Sequence, residues 1–169
     1  MKKTSLEFED IIGRYFNLKV KKQNYRIYVE EAGKGTPLLC LHTAGSDGRQ
    51  FRHILNDKKI TDNYRVLVFD LPWHGKSNPP EGYELNDYKL TTDLYKQIIM
   101  SFCKQYELKS PVIMGCSMGG RVVLHLALEH SNYFKAVIAL EGADKLEPYY
   151  NLDWLYRPDV HGGLVQAAF

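Results

Sequence analysis

The sequence predicts an α/β fold, with a doubly wound, mostly parallel sheet that opens on an N-terminal β-hairpin and is incomplete towards its C-terminal end. Three observations predict it. Short, nearly continuous apolar runs alternate with segments of helical periodicity through most of the chain. Those runs read as strands buried on both faces, as in a parallel sheet covered by helices on either side. One run also passes through a glycine-rich turn directly into a helical segment. With 169 residues, 44% of them hydrophobic, the chain can bury one substantial core but is too short for two ordinary domains.

The elements follow in order. Residues 16–30 read as a hairpin: Tyr25-Arg26-Ile27-Tyr28-Val29 is rich in β-branched and aromatic residues, and Lys22-Gln23-Asn24 is placed to turn. Gly33-Lys34-Gly35 breaks the hairpin, and Pro37-Leu38-Leu39-Cys40-Leu41 forms the next strand, ending at His42-Thr43-Ala44-Gly45. The segment 46–59 is helix-competent but weakly patterned. Tyr64 to Phe69 is a buried strand ending at Asp70, and the prolines and glycines of 71–82 make a loop. Leu90, Leu94, Ile98 and Phe102 recur every four residues on one helix face, with Asn86 or Asp87 available as a cap. Pro111–Met114 is a strand, 118–130 a helix and Ala136–Leu140 another strand, giving roughly six strands with the later ones parallel.

Charge excludes some partners. The 22 Lys and Arg stand against 20 Asp and Glu for a net charge of +2, and the basic residues are scattered, so no concentrated field addresses a nucleic-acid backbone. Glu7, Glu9 and Asp10 interrupt the apolar core that a signal peptide would need, and no apolar run approaches bilayer length. Three cysteines at non-motif spacings favour a reducing compartment, so the expectation is a cytoplasmic protein without membrane association. No phosphate-binding glycine pattern occurs. His42, Asp47, Asp70 and His74 lack close ligand spacing, so loop hydrogen bonding is preferred for them over a metal, and no cofactor is expected.

The most specific feature is Gly115-Cys116-Ser117-Met118-Gly119-Gly120, between the strand at 111–114 and the helix at 118–130. This is G-x-S-x-G in strand–turn–helix context. Such a turn lifts the Ser117 hydroxyl clear of the sheet and sets the Met118 N–H at a helix N-terminus, facing an oxyanion formed at an attacked carbon. Glycine at 115 and 119 leaves room where a Cβ would collide. Cys116 is assigned to packing.

On these residues, and on LLCLHTAGSDGRQF at 38–51 and VLVFDLPWHGKS at 66–77, the chain resembles the α/β-hydrolase family, in particular its small-molecule serine hydrolases with a separate cap. The resemblance covers roughly residues 25–145. It implies that Ala44, in the His42-Thr43-Ala44-Gly45 loop, contributes the second oxyanion N–H, and that His42 and His74 are structural. Thr43 departs from the family's glycine, as does Trp73, which narrows the pocket mouth.

The base and acid of a triad are not evident. The resemblance implies the order serine, acid, histidine. After Ser117 come His125, on the following helix and facing away, His130 near that helix's far end, and His161, which no preceding strand carries back to the serine. Glu141 and Asp144 follow the strand at 136–140, where some relatives carry the acid; Asp153 and Asp159 are weaker. The expectation is therefore that residues 1–145 form the N-terminal part of a hydrolase core, that 146–169 begin a cap, and that the chain is a fragment or truncated product. An uncovered sheet edge would then favour a homo-oligomer or a completing C-terminal part.

The expected function, for a full-length parent chain, is hydrolysis of a small apolar ester, thioester, lactone or related carbonyl compound through an acyl-enzyme on Ser117; the 169-residue chain alone is expected to be inactive. A non-catalytic ligand-binding or assembly domain on the same scaffold, or cofactor-free haloperoxidase-like activity, stands as the alternative.

Overall fold

The structure is a computed structural model that describes residues 8–85 and 89–143. Among these residues, six strands form one sheet: β1 (Ile12–Val20), β2 (Gln23–Ala32), β3 (Thr36–Leu41), β4 (Tyr64–Phe69), β5 (Val112–Cys116) and β6 (Ala136–Leu140), in spatial order β1-β2-β4-β3-β5-β6. β1 and β2 pair antiparallel, as do β2 and β4. The pairs β3–β4, β3–β5 and β5–β6 are parallel. The expected mostly parallel sheet with an N-terminal hairpin is therefore present.

The continuous apolar runs follow from cores on both faces. Along β3, β4 and β5, Leu39, Leu41, Leu67, Phe69 and Ile113 join one core, into which α3 (Thr92–Gln105) sends Ile98, Ile99 and Phe102 and α4 (Met118–Glu129) sends Val122, Val123 and Leu126. The alternate residues Leu38, Cys40, Val66, Val68, Val112 and Met114 face the second core, closed by Phe51 and Leu55. Because successive strand side chains point to opposite faces, a strand between two cores can spare no polar position.

Three local expectations are corrected. The hairpin turns at Lys21-Lys22, where Lys21 takes φ 54°, and Gln23 and Asn24 already pair with Val20 and Lys19. The segment 46–59 is not one helix. A 3-10 turn at Gly48–Phe51 runs into α1 (Arg52–Asn56), and Asp57 then caps a new turn, α2 (Lys58–Thr61), by accepting the Lys59 N–H at 2.8 Å. The helix expected from Leu90 starts at Thr92, because the Thr91 hydroxyl accepts the Leu94 N–H at 3.1 Å and ends the extended backbone before it. The proposed caps Asn86 and Asp87 lie outside the described residues, as does the segment 146–169 assigned to a cap.

Candidate active site

β5 ends at Cys116 and α4 begins at Met118, so the whole reversal falls on Ser117, whose backbone sits at φ 53° and ψ −109°. A Cβ-bearing residue reaches this region only at a cost of about 1–3 kcal/mol, so the surroundings must impose it. They do so through both backbone groups: the Ser117 N–H donates to the Leu140 carbonyl at 2.8 Å, and its carbonyl accepts the Arg121 N–H at 2.7 Å. The glycines permit the approach. A Cβ on Gly115 would collide with the Gly119 carbonyl, one on Gly119 would lie 2.5 Å from the Leu41 oxygen, and one on Gly120 2.6 Å from the Leu140 oxygen. Serine at a helix start ordinarily caps it, yet the Ser117 side chain makes no capping bond and the residue is exposed.

Leu41 pairs with Gly115, and Gly119 abuts Leu41, so the loop leaving β3 starts beside the first turn of α4. Ala44, in that loop, and Met118, next to Ser117, are both half-buried. The β3 loop is fixed from below by His42, which is fully buried. Its Nε2 accepts the Leu71 N–H at 3.1 Å, which requires the proton on Nδ1, and Nδ1 donates to the Thr43 carbonyl at 2.8 Å. Burial pushes the His42 pKa below its ordinary value; the bond to Thr43 opposes this, and the neighbouring His74, with ring centroids 5.1 Å apart, adds to it. Asp70, also buried, accepts the Gly48 N–H at 2.7 Å and the Lys76 N–H at 2.8 Å, tying the loop after β3 to the loop after β4.

These contacts account for the four residues considered for a metal. His42 and Asp70 hold backbone groups, Asp47 holds Arg49 at 2.7 Å, and the His74 Nδ1 lies 3.0 Å from the Pro72 carbonyl oxygen. Among the described residues no cluster of three or more His, Cys, Asp or Glu is arranged to hold a metal ion. Burial pushes the Cys40 and Cys103 thiols up to about 12, so neither offers a thiolate near neutral pH. Cys116 is half-buried at the end of β5.

The histidines after Ser117 are placed by α4. At 1.5 Å per residue, His125 lies about 12 Å and His130 about 20 Å along the helix axis from Ser117, too far to take its proton. Glu141 follows Leu140 at the same sheet edge as Ser117, with φ 51°. Asp144, Asp153, Asp159 and His161 lie outside the described residues. Gln50 has no expected role from the sequence, yet its Oε1 accepts the Thr43 N–H at 2.9 Å and pins the β3 loop from above. Nothing in composition or spacing marks it.

Comparison with known proteins gives a family and a set of distant relatives. A family model described as alpha/beta hydrolase fold matches residues 36–159. The chain is 25% identical over 119 residues to a pimeloyl-[acyl-carrier protein] methyl ester esterase of Vibrio cholerae, covering 70% of the chain and 42% of that protein. It is 28% identical over 148 residues to a 2-hydroxy-6-oxo-6-(2'-aminophenyl)hexa-2,4-dienoic acid hydrolase of Metapseudomonas resinovorans, covering 81% and 48%. The chain thus spans less than half the length of these two curated relatives. Among solved structures, a protein from Burkholderia cenocepacia provisionally called an aryl esterase superposes with TM-score 0.71 at 20% identity, over 90% of this chain and 57% of that one. An epoxide hydrolase from Vigna radiata gives TM-score 0.64 at 20% identity, over 76% and 39%. Among the described residues no helix is long and apolar enough to cross a membrane.

Proposed function

Because the chain belongs to the alpha/beta-hydrolase fold family, we propose that it is the nucleophile-bearing part of a serine hydrolase acting on a small apolar ester, thioester, lactone or related carbonyl compound. The supporting observation is Ser117 itself: an exposed serine in strained backbone at a helix start, with its hydroxyl withheld from the capping bond it would ordinarily make. In this reading the Ser117 Oγ attacks the carbonyl carbon while its proton passes to a histidine. The N–H groups of Ala44 and Met118 donate to the oxygen as it gains charge. The leaving group departs with the proton, and water, deprotonated by the same histidine, releases the acid and restores the serine.

Neither His125 nor His130 meets that need, so the base is assigned to His161 or to chain outside the 169 residues. Glu141 is the described carboxylate at the right edge to orient it. Residues 1–145 are read as the core portion and 146–169 as the start of a cap. A cytoplasmic setting is inferred from three cysteines without disulfide partners.

Labelling with a fluorophosphonate and hydrolysis of short-chain esters test the reading. Ser117→Ala is expected to remove labelling and to lower kcat/KM at least about 1,000-fold. Undiminished hydrolysis by that variant would overturn the assignment. A second reading, a non-catalytic binding domain, is favoured by the distances of His125 and His130 from Ser117. It predicts that Ser117 labels no faster than a surface serine, whereas haloperoxidase-like activity would retain labelling.

A further inference from the structure

We propose that β6 pairs antiparallel with β6 of a second copy of this chain, about a two-fold axis through Ile138.

The strand order leaves β6 at the margin. β5 pairs with one side of it, and among the described residues no strand pairs with the other. An open sheet edge recruits further strands, and proteins that keep one free guard it with charge, proline or a bulge. The opposite margin is guarded in this way, since β1 carries the exposed Arg14 and Lys19. β6 has no such guard: Ala136-Val137-Ile138-Ala139-Leu140 is apolar throughout, and all but Val137 are exposed.

One face of β6 also continues an existing core. In register, Val112 and Met114 of β5, both in the second core, stand beside Ala136 and Ile138. Alternate residues of a strand share a face, so that core runs outwards as a stripe through Ala136, Ile138 and Leu140. It stops at the margin with Ile138 40% and Leu140 43% exposed.

Charge selects the occupant. Lys135 and Glu141 flank β6 at equal distances from Ile138, and both are exposed. Among the described residues neither joins an ion pair. When two copies of β6 run antiparallel with Ile138 facing Ile138, Val137 faces Ala139, Ala136 faces Leu140 and Lys135 faces Glu141 at both ends. Small then meets large along the apolar stripe, and opposite charges close it, which are the cross-strand pairs that stabilise a sheet. Glu141 leaves the strand at φ 51°, and the flexible lysine stem has the reach to follow it. Sliding one copy by two residues separates the charges, and sliding it by one sets the two stripes on opposite faces. Both copies spend the same edge, so association closes at two.

Sedimentation velocity of the 169-residue chain over a concentration series tests the pairing. Wild type is expected to pass from monomer to dimer and stop there. Lys135→Glu and Glu141→Lys, each of which sets like charges at both ends, are expected to weaken the dimer about 10-fold. An equimolar mixture of the two variants is expected to dimerise more tightly than either alone, because every end of the mixed dimer is again opposite in charge. Oxidation reads the register independently. Ile138→Cys is expected to form a covalent dimer, whereas Ala136→Cys crosslinks only when mixed with Leu140→Cys. Wild type, with Cys40 and Cys103 buried and Cys116 half-buried, is the control and is expected to stay unlinked. A mass that stays at the monomer or grows past the dimer overturns the proposal. So does a dimer that is indifferent to both charge reversals, or one in which Ile138→Cys fails to crosslink.

Discussion

His42 stays neutral because its two ring nitrogens are already committed, one accepting from Leu71 and one donating to Thr43, in a site closed to water. A second proton would break the Leu71 bond and charge a buried ring. Its folded-state pKa lies below the unfolded one, so its contribution to stability is complete above the unfolded value of about 6.5 and is lost as pH falls towards the folded value. Thermal melting is expected to fall between pH 7.5 and pH 5. His42→Gln should melt lower at pH 7.5, leaving Leu71 poorly paired at a cost of about 1–3 kcal/mol, but should lose less on acidification. Equal pH slopes in the two proteins would refute this account. Gln50 gives a second prediction. On the proposed hydrolase reading, Gln50→Ala frees the Thr43 N–H and is expected to lower kcat for ester hydrolysis by up to about 100-fold with little change in KM, and Gln50→Glu, which keeps an acceptor, to restore most of it. The turn at Ser117 was legible because glycines at 115 and 119 bracket the serine between an apolar run and a helical segment. Gln50 was not, since an amide bonding to backbone seven residues away leaves no periodic trace.

At the scale of elements, the strands were legible for the reason the two cores supply: past their first two residues β3 and β4 are buried on both faces, as β5 is up to Cys116, so each declared itself as an apolar run. Helix starts were harder. Thr91, Asn86 and Asp87 are all capping residues, and only the folded chain shows that the hydroxyl of Thr91 reaches the Leu94 N–H. The break at Asp57 was hidden likewise, because 46–59 has helix-forming composition on both sides of it. The strand–turn–helix unit around Ser117 makes its own prediction. Gly115→Ala drives a Cβ into the Gly119 carbonyl, backbone against backbone, and should cost about 1–3 kcal/mol or more. Gly45→Ala meets nothing within 4 Å and pays only for its φ of 65°, about 1–2 kcal/mol. Denaturant midpoints compare the two, and a Gly115→Ala protein as stable as Gly45→Ala would contradict the close approach.

Across the whole molecule the sheet is finished unevenly. Its β1 side ends on a twisted hairpin, whereas β6 leaves Ile138 40% and Leu140 43% exposed on a parallel edge. Among the described residues no strand pairs with the outer side of β6, beside these apolar side chains, so the 169-residue chain is expected to associate as its concentration rises. Ile138→Lys should weaken that association several-fold in sedimentation velocity, and an unchanged weight-average mass would argue against the edge as its cause. The expected association was legible from the sequence only as an uncovered sheet, since which strand lies outermost depends on spatial order, β5 pairing with both β3 and β6. That order has one more result. The amide of Ser117 is anchored on Leu140, so the reactive turn and the outermost strand share a single tether. Deuterium uptake at position 117 would therefore clock how often the sheet's margin lets go, and any molecule that steadies the margin would slow that clock without touching the pocket.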